Sequence, residues 1–257
     1  MKEILFICSF ISLTITSFSQ KEEIFKGIEL YNRRAESTKD LIASPETING
    51  AIKHFKNALK SRSTEEEAAV FLMKCYYFKG SFVEIEKNKR LEAYYKSKIL
   101  GETMILKYPG SAAIYFWHLV NLAKWGETSG IMKSAREGLA DKLKSLSEKV
   151  IELDPNYRKG GGYGMLGIIH YKTPYIPFIL SWPDNDDAIE NLEKCLQINS
   201  EDLMAGLYYA QVLHDEGEEE RAITVLKKII SCTPREDNSL EDSKDIADAK
   251  VFLAEYE

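Results

Sequence analysis

"EDLMAGLYYAQVLHDEGEEERAITVLKKIISCTP", Glu201 to Pro234, decides the fold. Apolar residues recur at helical spacing on either side of Gly217, which predicts two helices joined by a turn. Small Ala210 is followed twelve residues later by small Ala222, and twelve later again by Pro234. Antiparallel helices approach closely where small residues meet, so Ala210 and Ala222 are expected to face each other. Pro234 lacks the amide donor that a helix interior needs and closes the second helix.

The unit recurs upstream at an offset of 34 residues: Ala188 matches Ala222, Leu192 matches Leu226, Cys195 matches Ile229, and Ser200 stands where Pro234 does. This spacing resembles the tetratricopeptide repeat, in which stacked helical hairpins bury a continuous core. The first helix of the earlier unit lies in "RKGGGYGMLGIIHYK", Arg158 to Lys172, with Gly167 in the role of Ala210. Gly167 and Ala188 stand 21 residues apart instead of twelve, so nine residues are inserted in the turn. Weaker matches occur at Ala51, Phe55 and Ala58 and around Pro109, and the clearest repeats span about 156–235.

Helical periodicity persists almost throughout, with no sustained strand alternation. It predicts helices at 22–36, 46–61, 65–79, 84–107, 111–126, 131–152, 160–171, 184–198, 202–216, 218–231 and 242–256. The expected fold is all-α, a superhelix of tetratricopeptide-type helical hairpins forming a single domain over 20–257.

Gly162 to Gly167 also spell G-x-G-x-x-G, which in a dinucleotide-binding turn follows a buried strand and precedes an acidic residue that reaches a ribose. Here a predicted helix ending at Leu153-Asp154-Pro155 leads in, and Asp184 falls at a predicted helix N-terminus. That motif therefore fails. Gly164 and Gly167 instead offer a bare helix face for a neighbouring helix, or for a ligand approaching the backbone.

Of the 257 residues, 44% are hydrophobic and 29% charged, as in an ordinary globular protein, and the net charge of −6 gives a phosphate backbone nothing to meet. Nucleic acid is not an expected partner. Lys2 followed by the apolar "ILFICSFISLTI" and the small residues of Ser17-Phe18-Ser19 predicts a signal peptide over 1–19, cleaved before Gln20. Its apolar run, about 12 residues, falls short of the roughly 20 that span a bilayer. Ile7 precedes Cys8 where lipid attachment needs a small residue, so a soluble, exported, periplasmic protein is expected. Cys75, Cys195 and Cys232 are then an odd set without C-x-x-C spacing that cannot all pair within one chain, so at least one is expected to remain a buried thiol or to make an intermolecular bond.

Nothing spells a hydrolase elbow, a zincin, a phosphate loop or an EF-hand. "DNDDA", Asp184 to Ala188, lacks the glycine and distal glutamate of a calcium loop and is expected to cap a helix. His54, His118, His170 and His214 stand alone. The chain is expected to be non-enzymatic, with no cofactor and no metal.

Two regions are rich in aromatics. "AIYFWHLVNLAKW" carries Tyr115 and Trp117, for which core burial is the ordinary reading. "YKTPYIPFILSWP" carries Tyr171, Tyr175, Phe178 and Trp182 in and beside the insertion, where loops are usually polar. Such a segment packs back over the helices, lines a ligand cavity, or meets a partner or a membrane.

From Asp154 onward, "DPNYRKGGGYGMLGIIHYKTPYIP", then Asp184 to Pro234, then the final "DIADAKVFLAEYE" resemble the T component family of tripartite ATP-independent periplasmic (TRAP) transporters. The resemblance implies a helical scaffold that associates with a periplasmic substrate-binding protein and handles an apolar small molecule. Gly164, Gly167, Tyr171, Tyr175, Phe178 and Trp182 are the candidate binding residues, with Tyr115 and Trp117 as the other location. The alternative is a structural adaptor that links envelope proteins with no small ligand. Membrane contact and a homo-oligomer are left open by the residues.

Overall fold

The computed structural model describes residues 20–130, 138–176 and 180–257, and the expected signal peptide at 1–19 lies outside them. Among the described residues there are eleven α-helices and no strand, only single bridges such as Ile176 with Leu180 in the insertion. The fold is all-α. The chain divides into two compact units, with the break between Pro109 and Gly110.

The first unit holds α1 (20–32), α2 (Pro45–Ala58), α3 (Glu65–Phe78) and α4 (Lys87–Lys107). Pro45 opens α2 at a position where no intrahelical donor is required. Ile48, Ala51, Ile52, Phe55 and Ala58 give that helix one buried face, and Phe55 stacks on Phe71 of α3 with ring centroids 4.9 Å apart. The end of α3 loosens into a π-turn, Lys79–Val83, whose Gly80 carbonyl accepts a hydrogen bond from Arg90 Nε at 3.0 Å.

The second unit holds α5 (Ala112–Ser129), α6 (Leu139–Leu153), α7 (Gly161–Lys172), α8 (Asn185–Ile198), α9 (Leu203–Asp215), α10 (Glu219–Ile230) and α11 (Ser239–Tyr256). The helix expected at 131–152 is described only from Leu139. Each helix packs on the next, and α5 with α7, α7 with α9, and α9 with α11 also touch. Those four therefore form one layer, and α6, α8 and α10 the other.

Sequence patterns follow from this layering. The outer helices bury one stripe each: Ala188, Leu192 and Cys195 in α8, and Ala222, Leu226 and Ile229 in α10, the same positions one 34-residue period apart. Leu192 and Leu226 are fully buried, each worth about 1.5–3 kcal/mol of apolar transfer. α9, covered on several sides, is buried at nine of its thirteen positions and has no single apolar stripe.

Ala210 of α9 and Ala222 of α10 are both fully buried where those two helices meet: Ala210 packs with Leu226 and Ile229 of α10 and with Ile246 and Ala249 of α11, and Ala222 with Tyr209 and Leu213 of α9 and with Ala188 and Leu192 of α8.

Candidate functional site

The insertion between α7 and α8 is held by polar and apolar contacts to its own unit. Leu180 is buried against Ala140 of α6, with Ile176 and Trp182 packed beside them. Trp182 donates from Nε1 to Asp141 Oδ1 at 2.7 Å, and its ring meets His170 edge-on at 5.0 Å. Trp182 is thereby turned to α6 and engaged. Phe178 lies outside the described residues.

Gly164 and Gly167 face α8. A Cβ on Gly167 would stand 2.7 Å from Leu192 Cγ and 2.9 Å from the Ala188 carbonyl oxygen, and one on Gly164 would stand 3.1 Å from Cys195 Sγ. The bare face is filled by a helix, which is the packing role weighed in the sequence. Gly160 has another duty: at φ +85° it caps α7 in a left-handed conformation.

Trp117 is buried in α5 with Phe116, and the Arg158 guanidinium lies 5.3 Å from its ring centre. Tyr115, beside it, is half-buried. Neither lines the cleft beside the insertion.

Tyr171 and Tyr175 do come together, on a cleft of about 410 Å³ open to solvent. Its walls are His170, Tyr171 and Thr173 from the end of α7, Tyr175 and Pro183 from the insertion, Asp184, Asn185 and Asp186 from the start of α8, and Glu216 after α9. The cleft is polar and acidic, where the resemblance led to an apolar site.

Asp184 caps α8, its Oδ1 accepting from the amides of Asp186 at 2.7 Å and Asp187 at 3.3 Å. Glu216 Oε1 accepts from Asn185 Nδ2 at 2.6 Å. Tyr171 donates to Asp215 Oδ2 at 2.8 Å, and burial together with that acceptor raises its hydroxyl pKa well above the usual range. His170 is only 5% exposed, and its buried Nδ1 makes no hydrogen bond. Asp187 Oδ2 stands 3.5 Å from that nitrogen. Burial lowers the imidazole pKa below 6.5 against the opposing pull of Asp187, so the ring is neutral at pH 7.

His170, Asp186 and Glu216 were missed as a group because they are far apart in sequence and meet only through the stacking of α7, α8 and α9. The available signal was the pair of acid-rich turns, Asp184 to Asp187 and Asp215 to Glu220, each at the bend of a hairpin. Elsewhere Cys75 and Cys195 are buried free thiols, with burial pushing Cys195 up to about 12, while the free Cys232 is partly exposed. Among the described residues no group of three or more His, Cys, Asp or Glu is placed to hold a metal ion, and no helix is long and apolar enough to cross a membrane.

No family model matches the chain, and no curated protein matches it. Solved structures do. The chain is similar to TTC0263, a thermophilic TPR protein of Thermus thermophilus, with a TM-score of 0.60 at 14% identity over 92% of this chain and 98% of that one. It is less similar to the MamA protein, with a TM-score of 0.44 at 19% identity over 89% of this chain and 94% of that one. For yeast Tom70 the TM-score is 0.32 at 13% identity, over 91% of this chain and 65% of that one. The first of these carries the fold comparison, and it agrees with the two-layer stacking and the 34-residue period seen in the chain itself. By fold, then, this is an all-α protein of tetratricopeptide type.

Proposed function

We propose that this chain is an exported, non-enzymatic scaffold that binds another protein. The observation that carries the reading is the cleft beside the insertion: repeat proteins place insertions as loops on one face, often the binding one, and here that face is open and polar. An apolar small molecule would instead be served by a closed, apolar cavity. Trp182 and Leu180 are spent on α6, and the glycine face of α7 on α8. These contacts favour a protein partner over an apolar ligand, and so favour the adaptor form of the scaffold.

Docking to a periplasmic substrate-binding protein, in the manner of the TRAP T component, is the specific form that the resemblance from Asp154 onward suggests. Export with cleavage before Gln20 belongs to the same proposal. Native mass spectrometry of the protein isolated from its own cells tests both. The expected species is a chain beginning at Gln20 in complex with a second protein. A chain carrying only a lipid-like mass, or one that begins at Cys8 with a lipid, would overturn the reading.

A further inference from the structure

The outward side of α4 departs from the pattern of a packed surface helix. Ala93, Tyr94, Ser97, Gly101 and Met104 form its buried side, set against α3 and the π-turn. The side opposite such a stripe is ordinarily polar. Here Tyr95, Ile99 and Leu106 are 50%, 45% and 84% exposed. Apolar residues scattered singly on a surface are ordinary, but these three share one row. With the half-buried Glu102 they fall at 95, 99, 102 and 106, the alternating steps of four and three along which one helix packs on another. By helical geometry Lys89 and Lys96 stand along one edge of the row and Lys98 along the other, its Nζ 5.9 Å from the Tyr95 ring centre. The helix holds six lysines and arginines against two glutamates, a net charge of +4 within a chain of net charge −6. Lys89 and Lys96 rest on Glu86 at 3.0 Å and Glu92 at 2.5 Å, exposed pairs that contribute little and can exchange for an acid offered by a partner.

We propose that the Tyr95, Ile99 and Leu106 row of α4 docks an amphipathic helix of a partner protein, one whose apolar stripe is flanked by Asp or Glu. This surface lies in the first unit and does not depend on the cleft of the second. The row supplies apolar anchors at helical spacing, and the lysines on both of its edges complement acids on both edges of the incoming helix. Glu102 decides against a lipid surface. A glutamate inside the row, with Glu92 one turn before Ile99, would have to enter a layer that penalises unpaired charge, whereas a facing helix can meet Glu102 with one basic side chain. Charge also decides against a second copy docking α4 on α4, which would set lysine edges against each other.

The test uses the full mature chain, isotopically labelled, titrated by NMR with a helical peptide of three Glu-Leu-Ala-Ala-Leu-Glu-Glu heptads and with its counterpart of three Lys-Leu-Ala-Ala-Leu-Lys-Lys heptads. The glutamate peptide should bind saturably, shift the resonances of Tyr95, Ile99 and Leu106, and bind more tightly than the lysine peptide. Ile99→Ser/Leu106→Ser changes two exposed positions and leaves the buried side of α4 intact; it should weaken the glutamate peptide about tenfold, as for the anchors of an interface. Lys96→Glu/Lys98→Glu, with far-UV circular dichroism confirming the fold, should reverse the preference between the two peptides. Equal binding of both peptides to the wild type, unchanged affinity in the serine variant, or an unreversed preference in the glutamate variant would each overturn the assignment. Two occupants are checked directly. Flotation with phosphatidylglycerol vesicles that the serine variant abolishes would make the row a lipid surface, and self-association that the same variant abolishes would make it a contact between copies; either result overturns the proposal.

Discussion

Gly167→Ala adds one methyl group where α7 and α8 come closest. The new Cβ would stand 2.7 Å from Leu192 Cγ, 2.9 Å from the Ala188 carbonyl oxygen and 3.0 Å from the Leu192 amide nitrogen. Non-bonded carbon atoms prefer about 3.5–4.0 Å, so α8 must retreat by several tenths of an ångström or more. Leu192 could swing aside, but the other two atoms are backbone and cannot. The retreat opens the seam that buries Ala188, Leu192 and Cys195. Alanine gains about 1 kcal/mol over glycine in a helix, against about 1–3 kcal/mol for overpacking, with the loosened seam added. The expected balance is a loss of about 1–2 kcal/mol, or roughly 2–8 °C in Tm for a chain of this size. Gly164→Ala is the control: its nearest contact, Cys195 Sγ at 3.1 Å, is a movable side chain, so propensity and crowding should nearly cancel. Urea unfolding followed by far-UV circular dichroism measures both. A Gly167→Ala protein as stable as the wild type would refute the claim that glycine is there for helix contact. Leu192→Ala in the same chain should not restore stability, because the Ala188 carbonyl remains.

Further outcomes follow from the charges of the second unit. Asp242 is buried and accepts from Arg235 through its amide at 2.9 Å, Nε at 2.8 Å and Nη2 at 2.6 Å, and from Asn238 at 2.8 Å. Burial opposes its ionisation, but these donors prevail and hold it below the usual carboxylate range. Asp242→Asn should cost about 2 kcal/mol at pH 7 by urea unfolding, and progressively less as the pH falls through the lowered pKa of the wild-type carboxyl. Asp245 is the reverse case, raised to about 7 by burial and by the charges of Asp202, Asp242 and Asp248. A carboxyl raised by folding lowers stability as pH climbs from about 4 to 7, so Asp245→Asn should stabilise the protein at pH 8 by on the order of 2 kcal/mol and leave it nearly unchanged at pH 4. His170 is lowered, so the unfolded chain binds its proton first and stability falls as pH drops below 6.5; thermal melts of His170→Gln should show a shallower fall between pH 6.5 and 5. Ala222→Leu should cost about 1–3 kcal/mol by overpacking the seam with Tyr209 and Leu213, measured by the same melts.

The fold could be read from the sequence because its period is carried by residues whose size matters. Ala188, Leu192 and Cys195 recur as Ala222, Leu226 and Ile229, and all six are buried at the same positions of α8 and α10. Glycine at 167 could be read as a packing residue for the same reason. Boundaries slipped where local chemistry outweighed periodicity: α3 loosens into the π-turn at Lys79–Val83, and α11 begins at Ser239 behind a short 3₁₀ turn, Glu236–Asn238, tied to Asp242. The cleft was harder. Aromatic residues drew attention to the insertion, yet Trp182 is bound to Asp141, and the walls are made by acids and a histidine from α7, α8 and the end of α9. Neither spacing nor composition records that convergence.

The scaffold reading meets its sharpest test in hydrogen–deuterium exchange of the mature chain, free and in complex with the protein that co-purifies with it. A scaffold that binds through the cleft should slow exchange in peptides covering Ile169 to Ile176, Asp184 to Asp187 and Asp215 to Gly217, while α2 and α3 exchange as before. Protection confined to other segments, or a complex that leaves all three stretches unchanged, would show that the cleft is not where this protein binds.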